Sequence, residues 1–145
     1  MLRIVLDASV AIKWLNPHES LADKAQIIRD DYEQGRISLL VPSFWEYEVV
    51  NGINKAVARG HLNEEEGYEA VALVLALHAE KAVLPSAQES YQLARKYQRS
   101  VYDSWYVHLA ETRGCQFWTA DQKLYNALKN LTPWVKWLAD YQRWP

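Results

Sequence analysis

The chain has 145 residues, half of them apolar, with a formal net charge of −2 and a single cysteine. That length predicts one domain over residues 1–145 with a sizeable core, and the charge excludes the strongly basic footprint of a duplex-coating protein. A lone Cys115 excludes an intramolecular disulfide, fits a reducing cytoplasm, and reads as a small core hydrophobe between Gly114 and a strand. The opening Met1-Leu2-Arg3 leads directly into a strand with no signal-peptide pattern, and no apolar run approaches the roughly 18 residues of a membrane span. A soluble, cytoplasmic protein is expected.

In chain order, a first strand is predicted over about Arg3 to Leu6, and it runs straight into Asp7 and a helix over Ala8 to Leu15. Asn16-Pro17 ends that helix. Ser20 is placed to cap a second helix running to Gly35. Ile37 to Val41 reads as a second buried strand, closed by Pro42. Ser43-x-x-Glu46 has the form of a capping box for a third helix reaching Arg59-Gly60, and Asn63-x-x-Glu66 opens a fourth. A short third strand is expected over Lys81 to Pro85, followed by a helix from Ser86-x-x-Glu89 to about Arg99-Ser100. A further helix runs from about Asp103 to Arg113 and stops at Gly114. Gln116 to Thr119 is the next strand, Asp121 to Leu128 a helical segment, and Trp134 to Trp137 a last strand at an edge. Strands alternating with helices predict an α/β fold with a mostly parallel central sheet flanked by helices.

Four acids stand out by position. In a parallel sheet the carboxyl ends of the strands share one edge, where such sheets bind ligands. Asp7 and Asp121 each follow an apolar strand, and Glu48 and Asp103 lie at or near helix starts. Singly, Asp7, Asp103 and Asp121 each read equally as helix N-caps, and Glu48 as a solvated surface acid. On the third helix, however, Glu48, Asn51, Gly52, Lys55 and Arg59 fall on one narrow face, while Tyr47, Val49, Val50, Ile53, Ala56 and Val57 cover most of the rest. Two carboxylates about 6 Å apart repel by about 3 kcal/mol at an effective dielectric near 20, so a cluster of four calls for a cation. Oxygen-rich clusters suit Mg²⁺ or Mn²⁺. The four histidines are scattered and carry no zinc spacing.

These residues also resemble a family. Val5-Leu6-Asp7-Ala8-Ser9-Val10, then Val41-Pro42-Ser43 leading to Glu48-Val49-Val50-Asn51, are followed by Val101-Tyr102-Asp103-Ser104-Trp105-Tyr106 and Trp118-Thr119-Ala120-Asp121-Gln122-Lys123-Leu124. In this order and at these separations they resemble a PIN-domain ribonuclease, and most closely a VapC-type toxin of a toxin–antitoxin pair. The resemblance implies an endoribonuclease in which Asp7, Glu48, Asp103 and Asp121 hold one or two divalent ions, Mg²⁺ or Mn²⁺. It implies Ser9, Asn51 and Thr119 as supporting groups, a homodimer, and a small antitoxin whose basic side chain masks the acids. Lys13, Lys55, Arg59, Arg95, Lys96 and Arg99 are the candidate contacts to RNA phosphates, each of them also readable as solvated surface. Trp105 departs from the family pattern, where a smaller aliphatic residue is common, and reads as core packing.

The alternative from another class is a catalytically inactive PIN-like module that binds RNA or protein. An intact quartet argues against it, because a pure binder gains nothing from mutually repelling acids. A phospho-accepting receiver domain needs paired acids after the first strand and an acceptor aspartate after a middle one. Here Asp7 stands alone and the third strand ends in Leu84-Pro85.

Overall fold

The computed structural model describes every residue from Met1 to Pro145. Five strands, β1 (Leu2–Leu6), β2 (Ile37–Pro42), β3 (Glu80–Ala82), β4 (Gln116–Thr119) and β5 (Val135–Trp137), form one sheet in the order β3-β2-β1-β4-β5. Every pairing in it is parallel. Seven helices cover it: α1 (Ala8–Leu15), α2 (Ala22–Glu33), α3 (Trp45–Ala58), α4 (Glu64–Leu75), α5 (Ala87–Tyr97), α6 (Val101–Arg113) and α7 (Gln122–Leu128). The predicted α/β architecture with a parallel sheet is the one observed, and β5 is the predicted edge strand.

The central strand explains the architecture. Ile4, Val5 and Leu6 of β1 are wholly inaccessible, as a strand covered by helices on both faces must be. From β1 the chain moves outward through β2 to β3, then returns to the other flank of β1 for β4 and β5. The order therefore reverses between β1 and β4, and a crevice opens beyond the carboxyl ends of strands at such a switch point. Asp7 and Asp121 are the residues that leave β1 and re-enter helix after β4.

Several boundaries differ from expectation for identifiable reasons. Ser20 does not cap α2; Leu21 takes the cap position in left-handed backbone, φ 60°, while the Ser20 carbonyl accepts from Lys13 Nζ at 2.7 Å. The Ser43–Glu46 box does not form. Phe44 occupies the cap of α3, its ring among Tyr102, Trp105 and Tyr106, and Glu46 pairs with Lys81 at 2.8 Å. Asn63 and Glu66 do form the full box on α4, and Ser86 accepts from the Glu89 amide to cap α5. α6 begins at Val101 with Ser100 as its cap, so Asp103 lies inside the first turn and is not a cap. β3 is confined to Glu80–Ala82, where it pairs with β2, and leaves Leu84-Pro85 outside the sheet. Tyr47, expected on the buried part of α3, is 79% exposed.

Two packing details matter later. A Cβ at Gly52 would run into the side chain of Ile12, so glycine is what lets α3 lie close against α1. At the far end of the chain, wholly buried Asp31 of α2 accepts from Arg36 at 3.0 Å and from both the Tyr141 hydroxyl and the Trp144 amide at 2.8 Å. That cluster fastens the segment after β5 onto α2.

Candidate active site

A cavity of about 350 Å³ lies beyond the carboxyl ends of β1 and β4, and Asp7, Glu48, Asp103 and Asp121 all line it. Each acid is delivered by a different local device. Asp7 ends β1 and caps α1, accepting from the Ser9 amide at 3.4 Å. Asp121 follows β4 and caps α7, accepting from the Leu124 amide at 3.1 Å. For these two the cap reading and the cavity position hold together. Glu48 sits in the first turn of α3, where the helix dipole favours an anion, and Asp103 in the first turn of α6. The narrow polar stripe of α3 faces this same space: Asn51, Gly52, Lys55 and Arg59 line the cavity with Glu48, while Ile12 and Glu19 belong to its other walls.

The hydrogen bonds around the acids come mainly from neutral groups. Thr119 Oγ1 donates to Asp7 Oδ2 at 2.6 Å and accepts from the Asp121 amide at 3.0 Å, so one buried hydroxyl sets both aspartates. Ser9 Oγ accepts from the Ala120 amide at 3.1 Å, which ties the start of α1 to the end of β4. Asn51 lines the cavity with an exposed side chain. Tyr106, which the sequence reading passed over, donates its hydroxyl to Glu48 Oε1 at 2.7 Å and accepts from the Ala8 amide at 3.4 Å. Its signal was present: it stands one helical turn after Asp103 on α6, on a face that the acid shares.

Burial and mutual repulsion raise Asp7, Glu48 and Asp103. Burial pushes the Asp7 carboxyl up to about 6, against hydrogen bonds from Thr119 and Ser9, and the Asp103 charge adds to the rise. Glu48 is pushed up to about 7, again by burial first, with Tyr106 opposing and the charges of Asp7 and Asp103 reinforcing. Asp103 is raised by burial, lowered by Arg99 and raised by Asp121. The Tyr106 hydroxyl is pushed well above its ordinary value by burial and by the charges of Asp7 and Glu48, so it stays a donor. The acids sense one another, and such a set of perturbed carboxyls in a cleft is the electrostatic mark of a site that takes up positive charge.

The donor set fits a hard divalent cation, being carboxylate oxygen throughout. As they stand, no three His, Cys, Asp or Glu side chains in the protein converge on one point. The reason is visible in their partners: Asp103 is drawn to Arg99 at 3.2 Å, Glu48 to Tyr106, and Asp121 to its own helix. Mg²⁺ commonly keeps several waters and takes only one or two carboxylates directly.

The candidate phosphate contacts divide. Lys55 and Arg59 line the cavity, exposed and without an ion-pair partner. Lys13 is engaged by Glu19 at 3.3 Å, and Arg99 by Asp103. Arg95 and Lys96 stand exposed on α5, away from the cavity lining. Trp105, expected in the core, is instead half-buried outside the core cluster, its ring against Phe44 and Tyr102 and its indole N–H on Ser90 Oγ at 2.6 Å. His61 joins the lining unforeseen.

Comparison with known proteins bears on this geometry. The family model for the PIN domain matches residues 4–129. Ribonuclease VapC12 of Mycobacterium tuberculosis is 32% identical over 122 residues, 83% of this chain and 88% of that protein. Ribonuclease VapC3 of Pyrobaculum aerophilum is 29% identical over 129 residues, 85% of this chain and 92% of that protein. Among solved structures, PAE2754 from Pyrobaculum aerophilum superposes with a TM-score of 0.68 at 20% identity, covering 95% of this chain and 85% of that one. VapC20 of Mycobacterium tuberculosis, described as a sarcin-ricin loop cleaving toxin, superposes at 0.58 with 14% identity, covering 86% and 94%. The two structural likenesses establish a shared fold.

Proposed function

Because this chain belongs to the PIN-domain family, we propose that it is a divalent-metal-dependent endoribonuclease, the toxin of a toxin–antitoxin pair. The observation that carries the reading is the convergence of Asp7, Glu48, Asp103 and Asp121 on one cavity at the switch point of the sheet. Its support in kind is that the similar curated proteins are named ribonucleases.

Asp7, Glu48, Asp103 and Asp121 would hold Mg²⁺ or Mn²⁺, as one or two ions. When bound, a divalent ion supplies Lewis acidity at a phosphate oxygen and makes water a usable nucleophile near neutral pH. The chain's own part is orientation. Thr119 and Ser9 fix the Asp7 carboxylate, and Tyr106 fixes Glu48. Arg99 holds Asp103 at 3.2 Å. Hydrogen bonds of this kind set ligand direction, and with it metal affinity. The exposed Lys55 and Arg59 bring positive charge to a substrate phosphate.

The reading extends to a cognate antitoxin that masks the cavity and to a homodimer acting in the cytoplasm. No helix is long and apolar enough to cross a membrane. The test is cleavage of total cellular RNA with added Mg²⁺ or Mn²⁺, beside EDTA and Asp103→Asn controls. Discrete fragments that need both the metal and Asp103 support the nuclease. Metal-independent fragments, or fragments from the variant at the wild-type rate, overturn it. RNA binding with neither cleavage nor metal uptake favours the inactive binding module.

A further inference from the structure

The cavity is not acidic throughout. Its acids gather where α3 begins, at the sheet edge, and its cations lie where α3 ends. Lys55 is two helical turns beyond Glu48, about 10 Å along the axis at 1.5 Å per residue, and Arg59 about 16 Å. Arg59 is the C-cap of α3, and Gly60, φ 76°, turns the chain so that His61 also borders the cavity. Most arginines and lysines elsewhere in the protein are occupied: Arg3, Lys13, Arg29, Arg36, Lys81, Arg99, Arg113 and Arg143 all face a carboxylate. Lys55, Arg59 and His61 are exposed and make no ion pair, although Glu19 lines the same cavity, because Glu19 is taken by Lys13. Segregated charge in one cleft has a direction, and a polyanion laid in it is held from one end.

We propose that Lys55, Arg59 and His61 form a phosphate-binding track along α3, so that the protein grips an RNA strand on one side of the bond it cuts. This rests on the reading of the acids as the cleavage centre. Rooted about 10 and 16 Å along the axis from Glu48, these cations are met, in this proposal, by phosphates of neighbouring nucleotides on the α3 side. Toward Asp103 and Asp121 the cavity lining carries no cation: Arg99 is engaged by Asp103, and exposed Lys123 of α7 lies outside the lining. The footprint is therefore asymmetric.

The first measurement is binding of single-stranded RNA oligonucleotides in EDTA, by fluorescence anisotropy across a salt series, which needs no cleavage. Each phosphate contact removed by Lys55→Gln or Arg59→Gln lowers the slope of log K against log salt by about 0.7. His61→Gln weakens binding by a smaller factor. Lys96→Gln removes the same charge from α5, outside the cavity, and leaves the slope unchanged. Equal losses from Lys55→Gln and Lys96→Gln, or no loss from either, overturn the track. The second measurement cleaves oligonucleotides extended on one side only of the cut bond. With one of the two, Lys55→Gln raises KM about ten-fold, the worth of one charged hydrogen bond, at unchanged kcat. Equal effects on both oligonucleotides overturn the asymmetry. Absence of cleavage with an intact Lys55 salt effect would count against the nuclease reading and not against the track.

Discussion

The protein buries two aspartates and surrounds them in contrary ways. Asp31 is wholly inaccessible and meets Arg36, the Tyr141 hydroxyl and the Trp144 amide, with Arg143 at 3.8 Å. Asp7 is 9% exposed and meets a threonine hydroxyl and a serine amide; burial raises it most, and the charge that perturbs it is that of another carboxylate, Asp103. Burying a carboxylate costs several kcal/mol unless its charge is met. Around Asp31 the chain meets it, and the result is a structural clamp. Around Asp7 it does not, which is the arrangement that the proposed metal site calls for. Depth of burial alone does not separate a structural from a functional acid. The sign of the neighbours does.

The sharpest way to break this contrast is to make the same substitution at both places. If Asp7 is a metal ligand as proposed, cleavage by Asp7→Asn should fall by about a thousand-fold or more, the equivalent of about 4 kcal/mol of lost transition-state stabilisation. Thr119 keeps an oxygen to donate to, so the variant folds and, in EDTA, melts higher than wild type. Asp31→Asn should do the reverse. It leaves Arg36 facing a neutral amide in a buried cluster, and urea unfolding should show a loss of about 3 kcal/mol, with kcat unchanged while the protein is folded. A destabilised Asp7→Asn, or a stabilised Asp31→Asn, would mean that the two environments had been read the wrong way round.

A pH series sharpens the same point without changing the fold. Below about pH 3 the Asp7 carboxyl is protonated in both folded and unfolded chains. As pH rises from there, the unfolded chain releases the proton while the folded one, with its carboxyl at about 6, retains it. Folding then takes up a proton, so stability drops with rising pH until the folded carboxyl has also ionised. A shift of this size corresponds to about 2–3 kcal/mol at about 1.4 kcal/mol per unit. In EDTA, the stability difference between Asp7→Asn and wild type should grow by that amount from its low-pH baseline at about pH 3 to about pH 7. Saturating Mg²⁺ should cancel most of it, by binding only the folded protein. A difference that is flat with pH would remove the electrostatic account.

Much of this site was legible because its signals are local. A carboxylate directly after an apolar strand places Asp7 and Asp121, and helical periodicity alone puts Glu48, Asn51, Lys55 and Arg59 on one face. What escaped depends on partners far apart in the chain. The Ser43–Glu46 box fails because Lys81 claims Glu46, and the Asp31 clamp joins residues more than a hundred positions apart. Arg99 was readable as a phosphate contact only while its pairing one turn away with Asp103 went unweighed. Tyr106 was hidden by its own chemistry, since an aromatic on an amphipathic helix reads as core. It is core, with its ring stacked on Phe117 at 5.2 Å, and its hydroxyl still reaches the cavity.

Tyr106 supplies the finest test. Tyr106→Phe keeps the ring and its packing on Phe117 and removes only the oxygen that donates to Glu48 and accepts from the Ala8 amide. Two losses add. Losing the donor leaves Glu48 less stabilised as an anion, so its carboxyl, already at about 7, rises further. Losing the acceptor leaves the Ala8 amide unpaired at the start of α1. The net cost to stability should be about 1 kcal/mol, the ordinary worth of a hydrogen bond. The effect on function should be larger than that on fold, because a misdirected ligand typically costs 10- to 100-fold in metal affinity or activity. The diagnostic readout is the pH profile. The acid limb of cleavage should move to higher pH in Tyr106→Phe, because Glu48 must lose its proton to hold a cation, and high Mg²⁺ should move it back. A variant with lowered activity but an unmoved acid limb would make Tyr106 a packing residue only, and the hydrogen bond to Glu48 incidental to the chemistry.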